Sequence, residues 1–215
     1  MSSTTETTSG ETTAQAPTGY TLVPPPGWDM IPLHEGTSEA IKRIVDGSVQ
    51  ELPTDIPRDD LTKARLELIK RLKKVARQAR EARAMDLHLP VERIDGVALP
   101  ASFIISEPLS APALGMDAGM VLSSLRPDAS QSEEVTIDGA AGFRVDGVAQ
   151  PDSAREVEHP SRRIEYILQI PNSATPRWLT VSFSTIADGR PDSEMAEILV
   201  ELFDAVMTTF RWSYA

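Results

Sequence analysis

Arg162-Arg-Ile-Glu-Tyr-Ile-Leu-Gln-Ile170, then Trp178-Leu-Thr-Val-Ser-Phe-Ser-Thr185, then Ser193-Glu-Met-Ala-Glu-Ile-Leu-Val-Glu-Leu-Phe-Asp-Ala-Val-Met-Thr-Thr-Phe210 decide the fold. The first two runs are rich in β-branched and aromatic residues and read as strands. In the third, Met195, Ile198, Leu199, Leu202, Phe203, Val206, Met207 and Phe210 recur at i, i+3, i+4 and i+7, the period of a helix with one apolar face. Asp192 or Ser193 caps this helix, over residues 192–210, and Glu194, Glu197, Glu201 and Asp204 line another face. Its Leu199, Phe203 and Val206 side is expected to lie on a sheet. Strands joined by short links, then a helix, predict the α+β class with an antiparallel meander.

Toward the N-terminus the period of two continues. Leu87 and Leu89, then residues 97–106, 135–137 and 142–149, read as strands. Asp95-Gly96, Asp138-Gly139 and Asp146-Gly147 are hairpin-type turn signals, because glycine tolerates positive φ. Residues 120–125 fit either helix or strand, and 152–160 read as an exposed loop. Before the strands come two helices. Residues 58–84 are opened by Pro57 and by Asp59-Asp60 at the positive end of the helix dipole. Residues 38–52 carry Ile41, Ile44, Val45, Val49 and Leu52 at helical spacing, with Asp46-Gly47 weakening the middle. Tyr20, Leu22 and Val23 suggest a short strand that Pro24 to Pro26 must end, and Gly27 turns the chain into a second strand over 28–33. Residues 1–18, polar and Ser/Thr-rich, are expected to be a disordered tail. The remainder, 19–215, is expected to be one α+β domain with 57–84 as a helical insertion.

The order of Tyr20 to Val23, Pro26-Gly27-Trp28, a helix, a meander and a last helix closing on Thr208-Thr209-Phe210 resembles the PsbP-like fold family. The resemblance spans about residues 20–212. It implies an antiparallel sheet packed by an N-terminal and a C-terminal helix. Its members, among them a photosystem II extrinsic protein, a Ran-binding import factor and actinobacterial lipoproteins, mostly bind other proteins. No binding residue of the family carries over to this chain. The chain departs from the exported members in showing no signal peptide or lipobox, and from the family in its long basic helix.

Composition narrows the chemistry. The 215 residues contain no cysteine, which excludes disulfides, thiolate metal sites and thiol nucleophiles. No run approaches the roughly 20 apolar residues that cross a bilayer. A cytoplasmic setting is expected, in a bacterium whose arginine-over-lysine bias suggests a GC-rich genome, actinobacterial by the resemblance. The net charge of −11 argues against broad nucleic-acid binding. That charge is uneven: residues 58–83 hold ten Lys/Arg against four Asp/Glu, or +6, which leaves −17 for the rest.

Catalytic patterns do not emerge. His34, His88 and His159 have no ligand spacing, and His88, alternating with Leu87 and Leu89, is expected on the solvent face of its strand. Glu133-Glu134 and the Glu156/Glu158 pair read as solvated carboxylates, and Gly115 to Gly119 as a loop. Trp28, Trp178 and Trp212 read as core. No cofactor or metal is implied.

One feature stands out. On the helix at 58–84, Leu61, Leu68, Leu72, Val75 and Ala79 form an apolar stripe. Lys63, Lys70, Lys74 and Arg77 share the opposite side. These four are the candidate partner-binding residues. They suit an acidic protein surface or a second copy of this acidic chain, with no nucleic acid and no stable membrane insertion. The expected function is a non-catalytic protein-binding module, an adaptor or assembly factor. The alternative is an enzyme with a carboxylate-based site.

Overall fold

The computed structural model describes residues 15–50, 56–93, 96–107, 131–151 and 158–215. Most of the expected tail, the ambiguous run at 120–125, the loop at 115–119 and most of the loop at 152–160 lie outside the described residues.

The chain is α+β. Strands β2 (Trp28–Pro32), β3 (Ala84–Pro90), β4 (Ala101–Ser106), β5 (Gln131–Ile137), β6 (Ala140–Ala149), β7 (Ser161–Gln169) and β8 (Trp178–Thr185) form one sheet in the order β2-β3-β4-β8-β7-β6-β5. Every neighbouring pair is antiparallel. Two meanders, β2-β3-β4 and β5-β6-β7-β8, are therefore joined edge to edge where β4 pairs with β8, Phe103 opposite Phe183. The opening strand β1 (Gly19–Thr21) stays out of this sheet and pairs with the closing strand β9 (Arg211–Ser213), tying the two ends of the fold together.

Helix α3 (Glu194–Thr208) follows β8 and covers one face of the sheet. Ser193 is its cap: its hydroxyl accepts the backbone N–H of Ala196. As its periodicity predicts, Leu199, Phe203 and Val206 are buried, against Phe103, Ile164, Tyr166, Val181 and Phe183 of the sheet. On the other face, at the β2-β3 end, sit α1 (Thr37–Gln50) and α2 (Arg58–Glu81), which enclose a second core of Ile31, Leu33, Ile41, Val45, Ala76, Ala79 and Leu87.

Three expectations are corrected. Asp146-Gly147 makes no turn: both lie within β6, opposite Ile164 and Arg163. Asp138-Gly139 does turn, with φ of 47° and 77°, closing the two-residue link between Ile137 and Ala140. On α2, Leu68 and Val75 of the expected stripe are 39% and 42% exposed, whereas Ala79 is buried and Leu72 partly covered as expected, joined by Ala76 and Ile69 from beside the stripe. Small residues let the helix approach β3 closely, and that moves the contact face around from the leucine-rich side. His88 is buried, at 5% exposure, because β3 is covered on both faces and alternation no longer separates core from solvent.

Gly142 in β6 is a packing requirement. A Cβ there would stand 2.3 Å from the carbonyl oxygen of Ile167 and 2.9 Å from Leu168 Cδ2. The first neighbour is backbone and cannot rotate away. Gly142→Ala is expected to destabilise the fold by about 1–3 kcal/mol through overpacking. A thermal melt of the variant checks this, and an unchanged midpoint would show that β6 and β7 have slack.

Candidate functional site

Pro57, with φ −57°, leads into α2, and Asp59 and Asp60 occupy its first turn. The 24 residues span about 36 Å at 1.5 Å each. Only the C-terminal half is deeply packed. The N-terminal half is held to α1 by Arg65, whose guanidinium reaches the Asp46 carboxylate at 2.7 Å. A cleft of about 680 Å³ opens beside it, with Val49, Leu68, Val91 and Leu99 among its lining and Arg65 and Arg93 at its rim.

The outward side carries the predicted cations. At 100° per residue, Lys63, Lys70, Lys74 and Arg77 fall within about 60° of one another, and all four are exposed. The structure thus brings the four together as the spacing predicts. Lys63 meets Asp60 only loosely, at 3.9 Å, with its side chain 80% exposed. Among the described residues no ion pair ties Lys70 or Arg77. Leu66, which the sequence reading passed over because it falls off the apolar stripe, stands among these cations and is 58% exposed. A buried-face search by periodicity does not find such a residue; a search for apolar residues on a polar face does.

The best-organised charges in the molecule lie elsewhere, under α3. Arg144 donates two hydrogen bonds to Asp204, Nε to Oδ1 at 3.0 Å and Nη2 to Oδ2 at 2.8 Å, and Tyr166 donates to the same carboxylate at 2.9 Å. Arg162 donates to Asp146 at 2.7 Å and reaches Glu197 at 3.5 Å. Burial, followed by the charge of Asp204 and the hydrogen bond to it, raises the Tyr166 phenol above its ordinary range. These groups pair with one another, apart from the buried Nε of Arg162, which has no partner among the described residues, and they fasten α3 to β6 and β7. Glu133 joins the edge of this network at 3.6 Å from Arg144.

A second polar cluster sits between β3 and the strap formed by β1 and β9. Tyr20 donates its hydroxyl proton to Asp86, and its ring stacks on Phe210 at 5.8 Å. Burial and the neighbouring Asp86 carboxylate raise the Tyr20 phenol above its ordinary value. Next to Asp86 on the strand but one, His88 stacks on Phe103 with ring centroids 4.3 Å apart. Its Nδ1 finds no partner. Burial pushes this imidazole down to about 4, against the pull of Asp86 and Asp29 toward the charged form.

His34 and His159 are exposed. Glu158 is exposed, and its partner Glu156 lies outside the described residues. Glu134 borders a shallow hollow at the β5-β6 end of the sheet. Trp178 and Trp212 are buried, and Trp28 is partly buried against Phe103 at 5.5 Å, so all three pack as predicted. Among the described residues no group of His, Asp or Glu is placed to hold a metal ion, and no helix is long and apolar enough to cross a membrane.

No family model and no curated protein matches the chain. Among solved structures it is similar to LpqN, described as involved in cell envelope biogenesis of Mycobacterium tuberculosis. The TM-score is 0.47 and the identity 10%, over 91% of this chain and 86% of that one. The likeness concerns the general course of the chain and transfers no residue role.

Proposed function

We propose that this chain is a non-catalytic protein-binding module whose docking surface is the outward face of α2. The observation that carries the reading is the placement of Lys63, Lys70, Lys74 and Arg77 on one exposed stripe of a chain whose net charge is −11. Clustered cations of this kind raise the local potential well above that of scattered ones, and in an otherwise acidic protein they select an acidic surface. The exposed Leu66 among them adds apolar area that a partner would cover. The charged groups best arranged for chemistry, around Asp204, are engaged in holding α3, which favours binding over catalysis. The setting that goes with this reading is a bacterial, actinobacterial cytoplasm, as composition and the family resemblance imply.

Replacing Lys63, Lys70, Lys74 and Arg77 together by Glu is expected to leave folding nearly intact, because exposed substitutions usually stay within about 0.5 kcal/mol each. Capture of the partner from native extract should be lost. Capture by the unmodified chain should also weaken from 0.1 M to 1 M salt, as the Debye length falls from about 10 Å to about 3 Å. A folded fourfold variant that retains its partners at both salt concentrations would return α2 to an ordinary solvated helix.

A further inference from the structure

Helices α2 and α3 carry one pattern in opposite charge. On α2, Leu66 is 58% exposed and stands three residues after Lys63 and four before Lys70. On α3, Ile198 is also 58% exposed and stands four residues after Glu194 and three before Glu201. All four of these charged residues are exposed. Positions three and four apart share a helix face. Each helix therefore presents one branched aliphatic side chain bracketed by two like charges. When the helices are laid antiparallel with Leu66 opposite Ile198, Lys63 falls opposite Glu201 and Lys70 opposite Glu194. A parallel alignment loses this match, because it sets a spacing of three against a spacing of four on both sides.

The two stripes cannot meet within one molecule. Leu87 of β3 points to the core under α1 and α2, whereas its neighbour His88 stacks on Phe103 in the core under α3, so the two helices lie on opposite faces of the sheet. We infer that the partner received by α2 is a second copy of this chain, which presents the Glu194, Ile198 and Glu201 face of its α3. This rests on the reading of α2 as a docking surface and names its occupant. The contact joins two unlike surfaces. A pair joined by one such contact leaves the α3 of one copy and the α2 of the other unused, so association runs past the dimer until a ring closes or a filament grows. Two copies of net charge −11 also repel one another at long range. Near 0.15 M salt, where the Debye length is about 8 Å, that repulsion is screened while contacts of a few ångströms persist. Association is therefore strongest at moderate salt and falls toward 1 M.

Sedimentation velocity on the full chain tests this at 0.15 M salt over a series of loading concentrations. The wild type should show a weight-average sedimentation coefficient that rises with concentration. Lys63→Glu with Lys70→Glu, and separately Glu194→Lys with Glu201→Lys, should each sediment as a monomer. An equimolar mixture of these two variants should associate again, because the reversed α2 of one meets the reversed α3 of the other. Leu66→Ala should weaken association of the wild type by about tenfold or more, as expected for one leucine returned to water. Circular dichroism of each variant secures its fold. A wild type that stays monomeric throughout, or a mixture that fails to recover, overturns the inference. If the fourfold α2 variant then still loses its captured partner, the docking surface stands and only its occupant is wrong; if that capture is unchanged, both readings fall.

Discussion

Phe203→Ala is expected to lower the free energy of unfolding by about 3–5 kcal/mol, the range for deleting a buried aromatic ring. Phe203 is 2% exposed and lies where α3 meets the middle of the sheet. Its ring stacks on Phe183 at 4.9 Å, tilts against Phe103 at 5.7 Å and meets Tyr166 edge-on at 5.8 Å. Phe103 and Phe183 face each other across the one junction between the two meanders. The ring therefore does two things: it seats the helix, and it fills the space above the seam that joins the halves of the sheet. Collapse of the cavity would require strands to shift within a hydrogen-bonded ladder, so little relaxation is available and the upper part of the range applies. Since whole domains are stable by only about 5–15 kcal/mol, the loss is a large fraction of the total. Urea unfolding measures it. A change below about 1 kcal/mol with an unchanged slope would place Phe203 outside the core.

The same residues show why parts of this fold were legible in the sequence. α3 was readable because its information is local: Ser193 caps it, and of the eight apolar positions that keep one period all but Ile198, which is 58% exposed, are buried or partly covered. The cationic stripe of α2 was readable for the same reason, since co-facial placement on one helix follows from spacing alone. What required the structure was contact between distant segments. The β4-β8 pairing that makes one sheet of two meanders leaves no mark in either strand's alternation. Asp204 was read with Glu194, Glu197 and Glu201 as one acidic face, yet it turns to Arg144, 60 residues away, and only the other three remain exposed. On α2 the sequence reading put Leu68 and Val75 on the buried stripe together with Ala79, whereas burial kept Ala79 and took Ala76 in place of the two larger residues, where close approach selects for size. His88 was misplaced because alternation implies one wet face, and β3 has none.

That misplacement has a thermodynamic consequence. The fold holds the His88 imidazole, ordinarily near 6.5, down to about 4. Between these values the unfolded chain takes up a proton that the folded chain refuses, so stability falls as pH drops below about 6.5 and levels off below about 4. Above about 6.5 both states leave the group neutral and it contributes no slope. The difference of roughly 2.5 units, at about 1.4 kcal/mol each, makes the loss about 3 kcal/mol across the window. His88→Phe keeps an aromatic ring against Phe103 and removes the titration. Its stability should therefore fall less than that of the wild type between pH 6.5 and 4, with the two curves diverging by about 3 kcal/mol at the acid end. Asp86 and Asp29 face the same site and are present in both proteins, so the difference between the two profiles reports the imidazole. Chemical denaturation at a series of pH values gives both profiles. Parallel curves over that range would mean that the imidazole reaches water or finds a carboxylate in the folded state.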